Sequence, residues 1–232
     1  MTPDADDPIP SFPPGGSPFH VKGNGFRGQV AYIEAHVPGG LAAMLEAVPD
    51  ETLADYLRQP FLAGSWYDLF PFIALHQAAG RTLGVSALEF AARYSRVQAR
   101  QDISGVYRLL LKLASPDMVV ARLPGVAGQY YDFIEVTNQQ LGKGVYESRI
   151  TGTPAAAAGM YRASSSAFVA EALTAAGAKG LELQWGRVRS RPRPPRRQDR
   201  DPHATRELDR LSGPGRGRAG GRRRSPGSPV GK

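Results

Sequence analysis

The sequence changes character near Arg187, and that break limits what can fold. Before it lies a mixed sequence; after it the chain is almost only Arg, Gly, Pro, Ser and Asp. Of the 29 basic and 21 acidic residues, 14 and 17 precede Arg187, while 15 and 4 follow from it onward. The formal net charge of +8 therefore belongs to the tail, and the part before it is mildly acidic. A segment so poor in apolar side chains cannot bury enough surface to offset the entropy of ordering its backbone. Residues 187–232 accordingly read as a disordered Arg/Gly/Pro-rich tail. GC-rich coding sequence read in a shifted frame has this composition too, so the tail reads either as an out-of-frame C-terminus or as a basic arm. As an arm it would bind nucleic acid only non-specifically and with steep salt dependence, since it holds no aromatic ring to stack on bases.

The opposite end, residues 1–18, holds six prolines and three aspartates with little to bury, and reads as a disordered proline-rich lead. Residues 19–186 have the composition of a single globular domain large enough for a real core. No stretch reaches the roughly 18 apolar residues of a membrane span, and the acidic start has no basic and apolar leader, so the expected setting is cytoplasmic, without membrane attachment. The absence of cysteine removes disulfides, thiolate metal sites and cysteine nucleophiles together.

Within the domain, apolar spacing predicts helices over about Gly25 to His36, Leu41 to Val48 and Asp50 to Arg58. Ser65 to Asp68 open a strongly apolar helix that carries Leu69, Phe72, Ile73, His76 and Leu83 along one stripe. Ser86 and Glu89 form a capping box for a helix from Ala87 to about Arg100. Asp102 caps a helix over Ile103 to Leu113, and Ser115-Pro116-Asp117 starts another towards Tyr130. The period then changes. Phe133 to Thr137 and Val145 to Thr151 read as a hairpin with a longish loop, Phe168 to Leu173 as a helix ended by Gly177, and Leu181, Leu183 and Trp185 as an alternating strand. Helices first, then hairpin, helix and strand, indicate an α+β fold with a small antiparallel sheet.

Chemical motifs are sparse. Gly23-Asn24-Gly25-Phe26-Arg27-Gly28 spells GxGxxG, but a dinucleotide turn needs a strand before it, so it reads as a helix-opening turn. His76 reads as a core or pocket histidine, or as a ligand to haem iron or another metal. Arg93, Arg96, Arg100 and Arg108 form a stripe that suits an anionic ligand or acidic partner, or is simply solvated. Trp66, Tyr67, Phe70, Phe72, Tyr107, Tyr130 and Tyr131 supply aromatic mass for a pocket between helices and sheet, or for ordinary core packing. Ser164, Ser165 and Ser166 have no general base near them in sequence, and no catalytic motif occurs, so no catalytic residue, metal site or cofactor is assigned.

The blocks Phe61-Leu62-Ala63-Gly64-Ser65-Trp66-Tyr67-Asp68-Leu69-Phe70-Pro71-Phe72, Arg100-Gln101-Asp102-Ile103-Ser104-Gly105-Val106-Tyr107-Arg108, Ser115-Pro116 and Gln129-Tyr130-Tyr131-Asp132 resemble an uncharacterised, mostly myxobacterial family of about 180 residues. More distantly, the plan is similar to four-vinyl reductase-type small-molecule-binding domains and to haem nitric-oxide-binding domains. The resemblance implies a ligand held between helices and sheet, and a final strand beyond Trp185 for which no apolar alternation follows here. The haem family carries a helix histidine and Tyr-x-Ser-x-Arg; in Tyr146-Glu147-Ser148-Arg149 the arginine comes one position early, on the opposite strand face from Tyr146 and Ser148. Zinc-type versions would need cysteines. The reading that results is a non-enzymatic, cytoplasmic sensory or interaction domain for a small apolar or aromatic ligand or a protein partner. Haem-based gas sensing through His76 and nucleic-acid binding through the tail are the alternatives.

Overall fold

A computed structural model describes residues 12–46, 48–102 and 115–186. These belong to one compact unit, Met1–Arg196; a second, Arg197–Lys232, lies outside the described residues. The expected helix over Ile103 to Leu113, with Tyr107 and Arg108, also lies outside them.

The fold is α+β. Its elements run β1 (His20–Lys22), α1 (Gly23–His36), α2 (Gly40–Glu46), α3 (Glu51–Arg58), β2 (Trp66–Asp68), α4 (Leu69–Thr82) and α5 (Ala87–Asp102), then α6 (Pro116–Tyr130), β3 (Glu135–Gly142), β4 (Val145–Thr151) and α7 (Ala155–Ala175). The strands form two antiparallel pairs, β1 with β2 and β3 with β4. No described helix is long and apolar enough to cross a membrane.

Local chemistry sets most boundaries. Asp50 and Ser115 cap α3 and α6 by accepting from the Leu53 and Met118 amides at 3.1 and 3.3 Å. Ser86 accepts from the Glu89 amide at 3.1 Å, while the Glu89 carboxylate pairs with Arg93 one turn on. After α7, Gly177 takes φ +87° and the amides of Gly177 and Ala178 return to the carbonyls of Thr174 and Leu173, which closes the helix by a Schellman motif.

Four expectations change. Trp66 to Asp68 is a strand, not the first turn of a helix: β2 pairs His20↔Asp68, Val21↔Tyr67 and Lys22↔Trp66, and the cap of α4 is Asp68. The hairpin loop is only Lys143-Gly144, because β3 continues to Gly142 with an irregularity at Leu141. Residues 181–186 pair with no strand among the described residues, so the predicted last strand is an exposed segment without regular secondary structure. The GxGxxG turn does follow a strand, β1, but that strand is antiparallel to its neighbour, and protein atoms already fill the glycine spaces. A Cβ on Gly23 would lie 2.0 Å from the Leu62 carbonyl oxygen, and one on Gly28 would lie 1.7 Å from Gln98 Oε1. The glycines serve close packing of α1.

The core gathers on α4, whose Leu69, Phe70, Phe72, Ile73, Leu75, His76 and Ala79 are buried, with Phe26 and Ile33 of α1 and Phe90 of α5 against it. Asp68, 2% exposed, organises its start. Its Oδ1 accepts from the Phe70 amide at 2.9 Å and from Ser17 Oγ at 2.6 Å; its Oδ2 accepts from the amides of Gly15 and Ser17, both at 3.0 Å. Its own amide donates to the Tyr56 hydroxyl at 2.9 Å. The last residues of the proline-rich lead are thereby tied down, and Phe12 stacks on Phe70 at 5.6 Å between ring centroids. Asp68→Ala is expected to destabilise the protein by about 3–5 kcal/mol, since it removes a helix cap and strands several buried donors. Urea unfolding at neutral pH measures this, and a loss below about 1 kcal/mol would contradict the assignment.

Candidate functional site

Between the helices and the hairpin lies a cavity of about 270 Å³. Its floor is Val21, Gly25 and Phe72. One wall is α5, through Tyr94, Ser95 and Gln98, and α6 supplies Leu123, Val126, Ala127 and Tyr130. On β4, Tyr146, Ser148 and Ile150 alternate into the lining, with Val136 from β3. Helix α7 presents Tyr161, Ser164, Ser165, Phe168 and Val169 at helical spacing, together with Ser166. Residues 182–185 cross the rim, where Trp185 Nε1 donates to Ser166 Oγ at 2.7 Å and the Arg162 guanidinium lies 5.4 Å from the indole centroid.

Polar groups in this wall are mostly neutral and partly engaged. Tyr94 donates to the Gly25 carbonyl at 2.8 Å, Gln98 to Asp102 Oδ1 at 2.7 Å, and Tyr130 to Asp102 Oδ2. Burial raises the phenol pKa of Tyr94, Tyr130 and Tyr161 and pushes that of Tyr131 up to about 12; for Tyr146 the leading cause is hydrogen bonding to Asp117. All five therefore stay uncharged at physiological pH. Among the described residues the lining holds no Lys, Arg or His, and its one carboxylate, Glu182, is on the exposed rim segment.

The aromatic residues singled out in the sequence divide. Phe72, Tyr130 and Tyr131 line the cavity. Trp66 sits under Lys22 Nζ, 3.9 Å from its ring centroid; Tyr67 accepts from the Leu62 amide at 2.8 Å and packs edge-on to Phe26; Phe70 packs against Phe12 and Phe19. Tyr94, Tyr146, Tyr161, Phe168 and Trp185 also line it but are not among the pocket aromatics read from the sequence, although Tyr161 and Phe168 stand two helical turns apart and Tyr146, Ser148 and Ile150 alternate along a strand.

His76 is fully buried and lies outside the cavity lining, with the rings of Phe72, Phe90 and Tyr94 around it. Its Nδ1 is 2.8 Å from the Phe72 carbonyl oxygen, which can only accept, so the proton is placed on Nδ1. The Gln29 amide lies 2.8 Å from the same nitrogen, and Nε2 has no partner among the described residues. Among the described residues no group of three His, Cys, Asp or Glu side chains is placed to hold a metal ion. In the arginine stripe, Arg93 pairs with Glu89 and Arg100 makes a two-pronged contact with Glu171 at 2.8 and 3.0 Å; Arg96 is exposed.

Compared with known protein families, with curated proteins and with solved structures, the chain matches none of them.

Burial pushes the His76 pKa down to about 4 against a weaker upward pull from the Phe72 carbonyl. Above its unfolded value of 6.5 the ring is neutral in both states; as pH falls below that, the unfolded chain takes up a proton that the native ring refuses. His20 works in the opposite sense. Its pKa is raised, first by its hydrogen bond to Asp132, so its contribution is present at acidic pH and is lost as pH rises through its native value. Between pH 7 and 5 the His76 effect costs about 2 kcal/mol of stability. His76→Gln is expected to flatten the pH dependence of urea unfolding by about that amount, and an unchanged acid slope would contradict the burial assigned to the ring.

Proposed function

We propose that this domain is a non-enzymatic, cytoplasmic sensory or interaction module that holds a small apolar or aromatic ligand in the cavity between α5, α6, α7 and the β3–β4 hairpin. The carrying observation is the cavity itself: concave, aromatic-walled and sprinkled with hydroxyls, the common form of a small-molecule site. The likeness of the plan to small-molecule-binding domains, which hold ligands between a helical part and a sheet, is in keeping with a ligand at this position. Tyr130 and Gln98 are both held by Asp102, an arrangement that braces a wall and engages the carboxylate, so that among the described residues it does not stand as a free base in the cavity. His76 lies outside the lining, which favours a ligand other than haem.

A full-length Trp66→Phe variant leaves Trp185 as the sole indole. Titration with the uncharged dye Nile red is expected to give saturable dye emission together with a change in Trp185 emission. Ser164→Phe, which fills the cavity from α7, should weaken binding at least tenfold. Absence of saturable binding, or affinity unchanged in Ser164→Phe, would contradict the proposal, as would turnover of a bound molecule that is lost on changing one polar cavity residue.

A further inference from the structure

The cavity wall also specifies the chemistry of what it holds. We propose that its ligand is an uncharged, flat aromatic molecule carrying a carbonyl oxygen, and that the hydroxyls of Tyr131 and Tyr161 receive that oxygen; this rests on the cavity reading above. Three observations converge. First, among the described residues the lining offers no cation, and its one carboxylate, Glu182, is on the exposed rim, so a charged ligand would lose hydration and find no countercharge in the described wall. Second, the rings of Tyr131 and Tyr161 meet edge to face at 5.6 Å between centroids, and Tyr130 and Phe168 do the same at 6.1 Å, leaving walls suited to a planar ring system. Third, the phenols are not equivalent. Tyr94 and Tyr130 spend their protons on the Gly25 carbonyl and on Asp102, whereas among the described residues the hydroxyls of Tyr131 and Tyr161, whose rings are in contact, make no hydrogen bond. Two unspent donors on contacting rings match the two lone pairs of one carbonyl oxygen.

Four planar probes of nearly equal shape test this by equilibrium dialysis against the full chain at pH 7: 2-acetylnaphthalene, its hydrocarbon isostere 2-isopropenylnaphthalene, anionic 2-naphthoate and cationic 2-naphthamidine. The acetyl compound is expected to bind at least tenfold more tightly than the hydrocarbon and at least a hundredfold more tightly than either ion. In the Tyr131→Phe/Tyr161→Phe double variant the acetyl preference should shrink to within about threefold, while hydrocarbon binding, which reports an intact fold, stays within about twofold. Equal binding of the acetyl compound and the hydrocarbon, a preference that survives the double variant, or an ion bound as well as the ketone would overturn the assignment and leave the cavity reading standing. Failure of all four probes to bind would overturn both.

Discussion

A carboxylate removed from water must have its oxygens met by donors, and Asp68 has four of them. Two come from backbone amides of the lead, one from the Ser17 hydroxyl and one from the first turn of α4. Each of these bonds is charge-assisted, and together they replace hydration that would be expensive to lose. The residue therefore fixes where α4 begins, holds β2 beside β1, and draws residues 12–18 onto the core. Losing a single donor would leave the charge only partly met, so the parts it joins depend on one another.

The cavity inherits this arrangement. Val21 of β1 pairs with Tyr67 and bridges to Tyr131, while Phe72 stands one turn into α4; with Gly25, Val21 and Phe72 make the floor. Next to the floor, His20 and Asp132 are joined through ring and backbone, which holds Tyr131 where α6 passes into the hairpin. The opposite rim is built differently. Residues 179–186 make no backbone hydrogen bond among the described residues, and Trp185 is held by one side-chain bond and one cation contact. The floor is thus tied by backbone pairing, whereas the rim rests on side-chain contacts.

Legibility in the sequence followed the length of each signal. Helices with a capping residue and several turns of apolar spacing, such as α5 and α6, were readable, as were both strands of the hairpin. Strands β1 and β2 have three residues each, too few for alternation to show, and Ser65 ahead of an apolar run imitated a helix start while the cap was Asp68. The alternation of Leu181, Leu183 and Trp185 was real, but alternation makes a strand only where an edge accepts it. At the site, Phe72, Tyr130 and Tyr131 were legible as aromatic mass. Tyr94, Tyr161, Phe168 and Trp185 were not, because converging on one space is a property of helix packing and of no local pattern. His76 was legible as buried; that its ring turns into the core and away from the cavity depends on the side of α4 that meets Phe90 and Tyr94.

Residue-resolved amide hydrogen exchange on the full chain tests most directly whether the buried Asp68 carboxylate governs the architecture while the rim stays loosely held. The Ser17 and Phe70 amides should exchange only through global unfolding, with protection equal to that of the α4 interior, and residues 182–185 should exchange orders of magnitude faster. Fast exchange at Ser17 and Phe70 while the α4 interior remains protected would contradict the account.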